Sequence, residues 1–268
     1  MGLDANGLKF LIEARRAGVD FSRTATMGRQ EMLASPEDIA VAGVDLTDVC
    51  DYAEEFLKKL GANEVTSFDA SAYEGASVVH DFNRPIGDEY KNRFTCVLDG
   101  GTLEHIFDFP TAIRNCMEMV EVGGHFLALT PANNYFGHGF YQFSPELFYR
   151  IFSEENGFAV EQMFLYEDRP GSDWYEVADP AKVGERVTMT NSEPASLAII
   201  ARKVSDAEIL ARSPQQSDYA TAWNAEGHKT KCNDARASFA FRVWKRIERE
   251  INRRFRIVGS QRHFRRKK

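Results

Sequence analysis

Short β-forming runs that stop at an acid or a proline alternate along this chain with stretches of helical periodicity. Phe94-Thr95-Cys96-Val97-Leu98 stops at Asp99, Glu64 to Phe68 at Asp69, Ala76 to His80 at Asp81, and His125 to Thr130 at Pro131. Runs of this length, bounded by turn residues, predict buried strands. Phe21 to Met27 predicts an earlier strand, closed by Gly28-Arg29-Gln30. Helices are predicted over Leu8–Arg16, Pro36–Ala42, Asp45–Leu60 and Pro110–Val122, the last with Ile113, Met117 and Val120 on one face. Ser35-Pro36 and Ser144-Pro145 place an N-cap before a first-turn proline, and the second opens a helix to about Phe152. Gly61 and Gly123-Gly124 read as helix ends. Two late strands, Phe158–Leu165 and Ser196–Lys203, flank a polar stretch from Glu167 to Glu193 that is too long for a tight turn. The alternation predicts an α/β fold with a parallel sheet and crossover helices.

The carboxyl-terminal part reads differently. Phe239, Val243, Ile247, Ile251 and Phe255 recur at steps of four, which predicts a basic amphipathic helix over Phe239–Ile257. The expected organisation is an α/β domain over 1–204, a polar linker or surface excursion over 205–235, and a basic helical tail over 236–268.

Charge sharpens that division. The net charge is −7, yet from Arg236 to Lys268 there are 13 Lys and Arg against Glu248 and Glu250, a net of +11. The rest holds 20 basic and 38 acidic side chains, a net of −18. An acidic body disfavours nucleic-acid steering by the whole protein. The tail, with Arg253-Arg254-Phe255-Arg256 and Gln261-Arg262-His263-Phe264-Arg265-Arg266, has three readings. It docks on the acidic body or stays solvated, it binds nucleic acid, or it binds an anionic membrane or acidic partner. No apolar run reaches the ~20 residues of a membrane helix. Cys50, Cys96, Cys116 and Cys232 form no Cys-x-x-Cys pair, and the start of the chain lacks a secretory pattern, so reduced thiols and a cytoplasmic location are expected.

In an open α/β sheet, ligands sit beyond the carboxyl ends of the strands. Asp69, Asp81 and Asp99 all fall there. An acid after the second strand suits ribose hydroxyls, one after the third an adenine amine, and one after the fourth an ammonium or sulfonium. The alternative is three solvated caps of turns. Gly100-Gly101 then allows close backbone approach, and Glu104 and His105 follow directly. His105 and His138 are candidates for proton exchange near neutral pH, with Glu104 as base or orienting group. The loop Asn133–Gln142 beyond the fifth strand offers Asn134, Tyr141 and Gln142 to a substrate, or packs its aromatics as core. Histidines and cysteines lack metal-ligand spacing, so the sequence specifies no metal site.

The segment Phe94 to His105, with the helix, Gly123-Gly124 and His125 to Pro131 after it, resembles class I S-adenosylmethionine-dependent methyltransferases. The resemblance spans roughly Phe21 to Lys203. It implies a Rossmann-like, seven-stranded, mostly parallel sheet with helices on both faces and an antiparallel last strand. It also implies S-adenosylmethionine held along Gly28, Asp69, Asp81, Asp99 and Gly100, and methyl transfer to a small-molecule or glycan-like acceptor. The chain departs from the family in the first loop, Thr26-Met27-Gly28-Arg29-Gln30, which has one glycine where the pattern has several. Arg29 there either pairs with a ligand carboxylate or is a surface residue. Two other functions stay open: a non-catalytic methyltransferase-like module that binds nucleic acid or another anionic partner through the tail, and another nucleotide-dependent Rossmann-like enzyme.

Overall fold

The computed structural model describes residues 2–44, 51–226, 257–258 and 263–267. The described helices are α1 (Ala5–Arg16), α2 (Pro36–Val41), α3 (Glu54–Lys59), α4 (Phe109–Met119), α5 (Pro145–Ile151), α6 (Pro180–Val183) and α7 (Ser217–Glu226). The main sheet contains β1 (Arg23–Met27), β2 (Glu64–Asp69), β3 (Val78–Val79), β4 (Phe94–Asp99), β5 (Val120–Asn133), β6 (Phe158–Glu167), β7 (Trp174–Val177), β8 (Ala195–Lys203) and β9 (Phe264–Arg266).

Its strand order is β9-β7-β6-β8-β5-β4-β1-β2-β3. β1 pairs in parallel with both β2 and β4, and β4 with β5. β8 runs antiparallel between β5 and β6. The expected seven strands with an antiparallel last one are therefore present, inside a sheet of nine. The order reverses between β1 and β4, where Met27 lies opposite Asp99. This is the crevice where open α/β sheets take ligands.

The central strands are apolar on both faces because both are covered. Every residue of β4 is buried. Val97, with Met27, Phe126 and Ala128, packs against Ile113 and Met117 of α4 and Phe148 of α5. Cys96 and Leu98, facing the other way, meet Leu8 and Leu11 of α1 and Phe56 of α3.

Two expectations are corrected, and two others are filled in or left open. Gly123-Gly124 does not end a helix: α4 stops at Met119, β5 begins at Val120, and the glycines lie in a bulge where Phe94 pairs Val120 and Cys96 pairs His125. The strand over Ala76–His80 shrinks to Val78–Val79, since it pairs only with Phe68 and Asp69. The polar stretch 167–193 carries β7 and α6, and the 205–235 segment carries α7. The predicted helix over Phe239–Ile257 lies outside the described residues except for Ile257, which pairs as a strand with Asn191.

The described end of the tail docks on the body. Phe264–Arg266 pairs antiparallel with β7 at the sheet edge. Arg266 bonds Asp173, Lys267 bonds Glu13, and His263 lies 3.2 Å from Glu185. This favours the docked reading for that segment and covers an edge strand that would otherwise be open to other chains. No described helix is long and apolar enough to cross a membrane.

Removing residues 259–268 uncovers β7, whose Trp174 is buried. The truncated chain should unfold several degrees below the full chain in a thermal scan, reflecting a loss of about 1–3 kcal/mol. An unchanged midpoint would contradict this role for β9.

Candidate functional site

β4 sets the site by ending in a buried acid. Asp99 is 0% exposed. Its Oδ1 accepts hydrogen bonds from the backbone N–H of Thr102 at 2.8 Å and of Leu103 at 3.3 Å, which turns the chain into a short 3-10 helix over Leu103–His105. Its Oδ2 is buried with no hydrogen-bond partner. Glu104 is 1% exposed, and its Oε2 also lacks a partner. Burial drives the Asp99 carboxyl well above the usual range, and the neighbouring Glu104 adds to the effect. Burial likewise pushes Glu104 up to about 7.

A loop is clamped over Glu104. The Glu104 carbonyl accepts from the N–H of Phe140 at 2.7 Å and of Tyr141 at 3.3 Å. Gly139, between His138 and Phe140 in the chain, has φ +67°, and a Cβ there would come within 2.7 Å of the same carbonyl oxygen. The clamp places His138 Nε2 3.4 Å from Glu104 Oε1, and the His138 ring 4.9 Å from that of His105. Burial lowers the His105 pKa, with His138 second among the causes.

These groups open on a cavity of about 350 Å³ at the ends of β4, β5, β6 and β8. Gly100, Gly101, Glu104, His105 and His138 form one wall. Asp4, Tyr135, Asp168 and Ser196 form another, where the Tyr135 hydroxyl bonds Asp168 Oδ2 at 2.7 Å and Ser196 Oγ at 2.8 Å. The lining holds Asp4, Glu104 and Asp168 and, among the described residues, no lysine or arginine. It suits a cationic or neutral polar ligand.

The sequence-predicted residues separate into groups. Glu104, His105, His138 and Gly100 meet at the cavity. Gly28 and Asp69 lie at the ends of β1 and β2, outside that lining. Asp69 Oδ1 accepts from the N–H of Ser71 at 2.9 Å. Asp81 is exposed and turned onto Asn83 and Arg84; its pKa is lowered, mainly by the Asn83 side chain. All three strand-end acids thus cap turns, and only Asp99 does so while buried. Asn134, Tyr141 and Gln142, expected to touch substrate, instead hold the loop. Asn134 Nδ2 donates to the Asn191 and Glu193 carbonyls, the Tyr141 hydroxyl donates to Phe107 O at 2.6 Å, and Gln142 Oε1 accepts from Tyr135 N–H at 2.9 Å. Arg29 pairs with Glu54 at 2.7 Å and lies over the Tyr52 ring, which is the structural reading of that residue.

Gln30 is the residue that sequence reasoning missed. It is buried at the crevice, donates from Nε2 to Met27 O at 2.6 Å, and leaves Oε1 without a partner. A Cβ on Gly100 would clash with it, so that glycine makes room for a side chain of this chain as well as for a ligand. Asp4 and Asp168 were also missed: Asp4 looks like the plain N-cap of α1, which it also is.

No protein-family model and no curated protein matches the chain. Among solved structures it is similar to the MccD protein, with 13% identity over 75% of this chain and 100% of that one and a TM-score of 0.46. It is similar to the N-methyltransferase NodS from Bradyrhizobium japonicum, in complex with S-adenosyl-L-homocysteine, with 14% identity over 74% and 85% and a TM-score of 0.39. A third is the branched-chain polyamine synthase from Thermus thermophilus, in complex with N4-aminopropylspermidine and 5′-methylthioadenosine, with 12% identity over 78% and 60% and a TM-score of 0.40. These likenesses are loose.

Glu104 gives the site a pH signature. Its carboxyl ionises near 7 in the folded chain against 4.5 ordinarily. Between those values the unfolded state binds fewer protons, so stability falls as pH rises through that window. In chelator-treated protein, the unfolding midpoint should drop by a few degrees from pH ~5 to ~8, and Glu104→Gln should flatten the slope. An identical slope in the variant would contradict the buried, unpaired carboxyl.

Proposed function

We propose that the chain is an S-adenosylmethionine-dependent methyltransferase acting on a small polar acceptor, neutral or cationic, including glycan-like molecules. One observation carries the reading. At the crevice between β1 and β4, three buried acceptor atoms lack partners: Gln30 Oε1, Asp99 Oδ2 and Glu104 Oε2. Burying such atoms unpaired costs about 1–3 kcal/mol each, so a site that keeps three of them fits a ligand that brings positive charge or donors. The cofactor, a sulfonium carrying an amino acid ammonium, supplies both, together with an electrophilic methyl group.

The residues present fit that group in part. Gly28, at φ +70° on the end of β1, leaves the backbone open to close approach. Asp69 ends β2 with Oδ1 committed to Ser71, leaving the other oxygen for ribose hydroxyls. Gly100 and Asp99 complete the crevice. Asp81, exposed just past the end of β3, is bonded through Oδ1 to Asn83 of its own turn. Gln30 stands where the family's further glycines would be, and its amide would have to turn from Gly100 or bond the ligand itself.

The acceptor would occupy the cavity over β4 and β5. Asp4, Tyr135 and Asp168 orient it by hydrogen bonds, and the lining repels anions. Methyl transfer requires alignment and, for a hydroxyl or ammonium acceptor, loss of a proton. His138 takes that proton at Nδ1, while the Glu104 carboxylate beside Nε2 holds the imidazolium that results. Gln30 seated on Gly100 is the observation that favours the second reading, a non-catalytic module with the same fold.

Calorimetry with S-adenosylmethionine and S-adenosylhomocysteine distinguishes the two. Saturable binding is expected, weakened about tenfold or more by Asp69→Ala, which removes an acceptor of ligand hydrogen bonds. No heat at millimolar ligand would overturn the enzyme reading and leave the binding module.

A further inference from the structure

Three ionisable side chains converge at this site. One ligand atom from each of Glu104, His105 and His138 lies within 4.8 Å of the others. We propose that these three residues bind a divalent transition-metal cation, such as zinc, manganese or cobalt, with its open positions facing the cavity.

Geometry supports this first. Two ligands at about 2.1 Å from a tetrahedral ion stand about 3.4 Å apart, from the usual Zn–N and Zn–O distances. His138 Nε2 and Glu104 Oε1 are 3.4 Å apart. His105 is exposed, with its ligand atom within 4.8 Å of the other two, and its ring would turn inward on binding the ion.

A second observation points independently to a ligand. Glu104 is 1% exposed and its Oε2 has no partner, an uncompensated acceptor on the carboxyl group whose other oxygen faces His138. Nearby Asp99 Oδ2 is in the same condition. A bare carboxylate beside two imidazoles is costly to bury, and a divalent cation removes that cost.

The cluster is also held in place before any ion arrives. The backbone hydrogen bonds from Phe140 and Tyr141 to the Glu104 carbonyl fix the His138 loop on the turn that carries Glu104 and His105. A metal site needs this kind of anchoring of its ligands.

The donor set decides the kind of ion. Two imidazoles and one carboxylate suit zinc, manganese, iron, cobalt or nickel, whereas calcium and magnesium prefer all-oxygen sets. Three protein ligands leave room for one or more exogenous ones. An acceptor hydroxyl in the cavity could fill such a position, and its proton would then be lost more easily. In that case His138 serves as a ligand rather than as the base. This refinement rests on the methyltransferase reading, but the binding of the ion does not.

The test uses the full chain stripped with chelator, without cofactor or acceptor. Zinc is titrated calorimetrically, and cobalt is followed by its visible ligand-field absorption. The expected result is about one equivalent bound, with at least about tenfold weaker binding in Glu104→Gln, His105→Gln and His138→Gln. Each variant is first checked by circular dichroism, and a folded one suffices for the comparison. No binding by the parent chain, or binding unchanged in folded variants, overturns the site. The failure of this proposal leaves S-adenosylmethionine binding untouched, so the two readings fail separately.

Discussion

Two carboxyl groups buried side by side at the end of a central strand organise this molecule's chemistry. Asp99 ends β4, and Glu104 follows one turn later. Neither faces water, and each leaves one oxygen unpartnered. The fold goes to some length to hold them. Asp99 is tied to the backbone of the turn it starts, and Glu104 is pinned through its carbonyl to the loop carrying His138. A chain selected for stability alone would place amides or apolar groups here. Retaining two acids suits the strand end to positive charge, which is the feature that both the proposed cofactor and the proposed metal ion would use.

Topology explains why this spot can afford such a site. β4 and β1 are neighbours, and their following connections leave in opposite directions, so a crevice opens above them. The apolar layers on both faces supply the stability, which frees the strand ends for polar work. The described tail contributes at a distance, covering the far edge of the sheet with β9 rather than reaching the site.

Much of this was legible in the sequence, for identifiable reasons. β4 was plain because a strand buried on both faces is an unbroken apolar run, and Asp99-Gly100-Gly101 marked its end. The helix starts at Ser35-Pro36 and Ser144-Pro145 were legible because capping is local chemistry. Glu104, His105 and His138 were found as chemistry-bearing residues, but their convergence was not, since the clamp between Phe140 and Glu104 is a contact between distant parts of the chain. The same holds for β7, too short to signal itself and stabilised by a tail segment far along the chain. Gln30, Asp4 and Asp168 stayed hidden because an amide in a loop, a helix cap and a surface acid carry no periodic signal. Asn134, Tyr141 and Gln142 sit in the right loop but are turned onto backbone groups of Asn191, Glu193, Phe107 and Tyr135, a distinction that only side-chain direction reveals.

The central claim, that the buried acids are kept for a positively charged ligand at some expense of stability, is tested most directly by one measurement. Thermal unfolding is recorded near neutral pH for the parent chain and for Asp99→Asn, each with and without S-adenosylmethionine. The variant is expected to be at least as stable as the parent when free, and to lose most of the ligand-induced rise in midpoint. A variant less stable than the parent that keeps the full rise would contradict that claim.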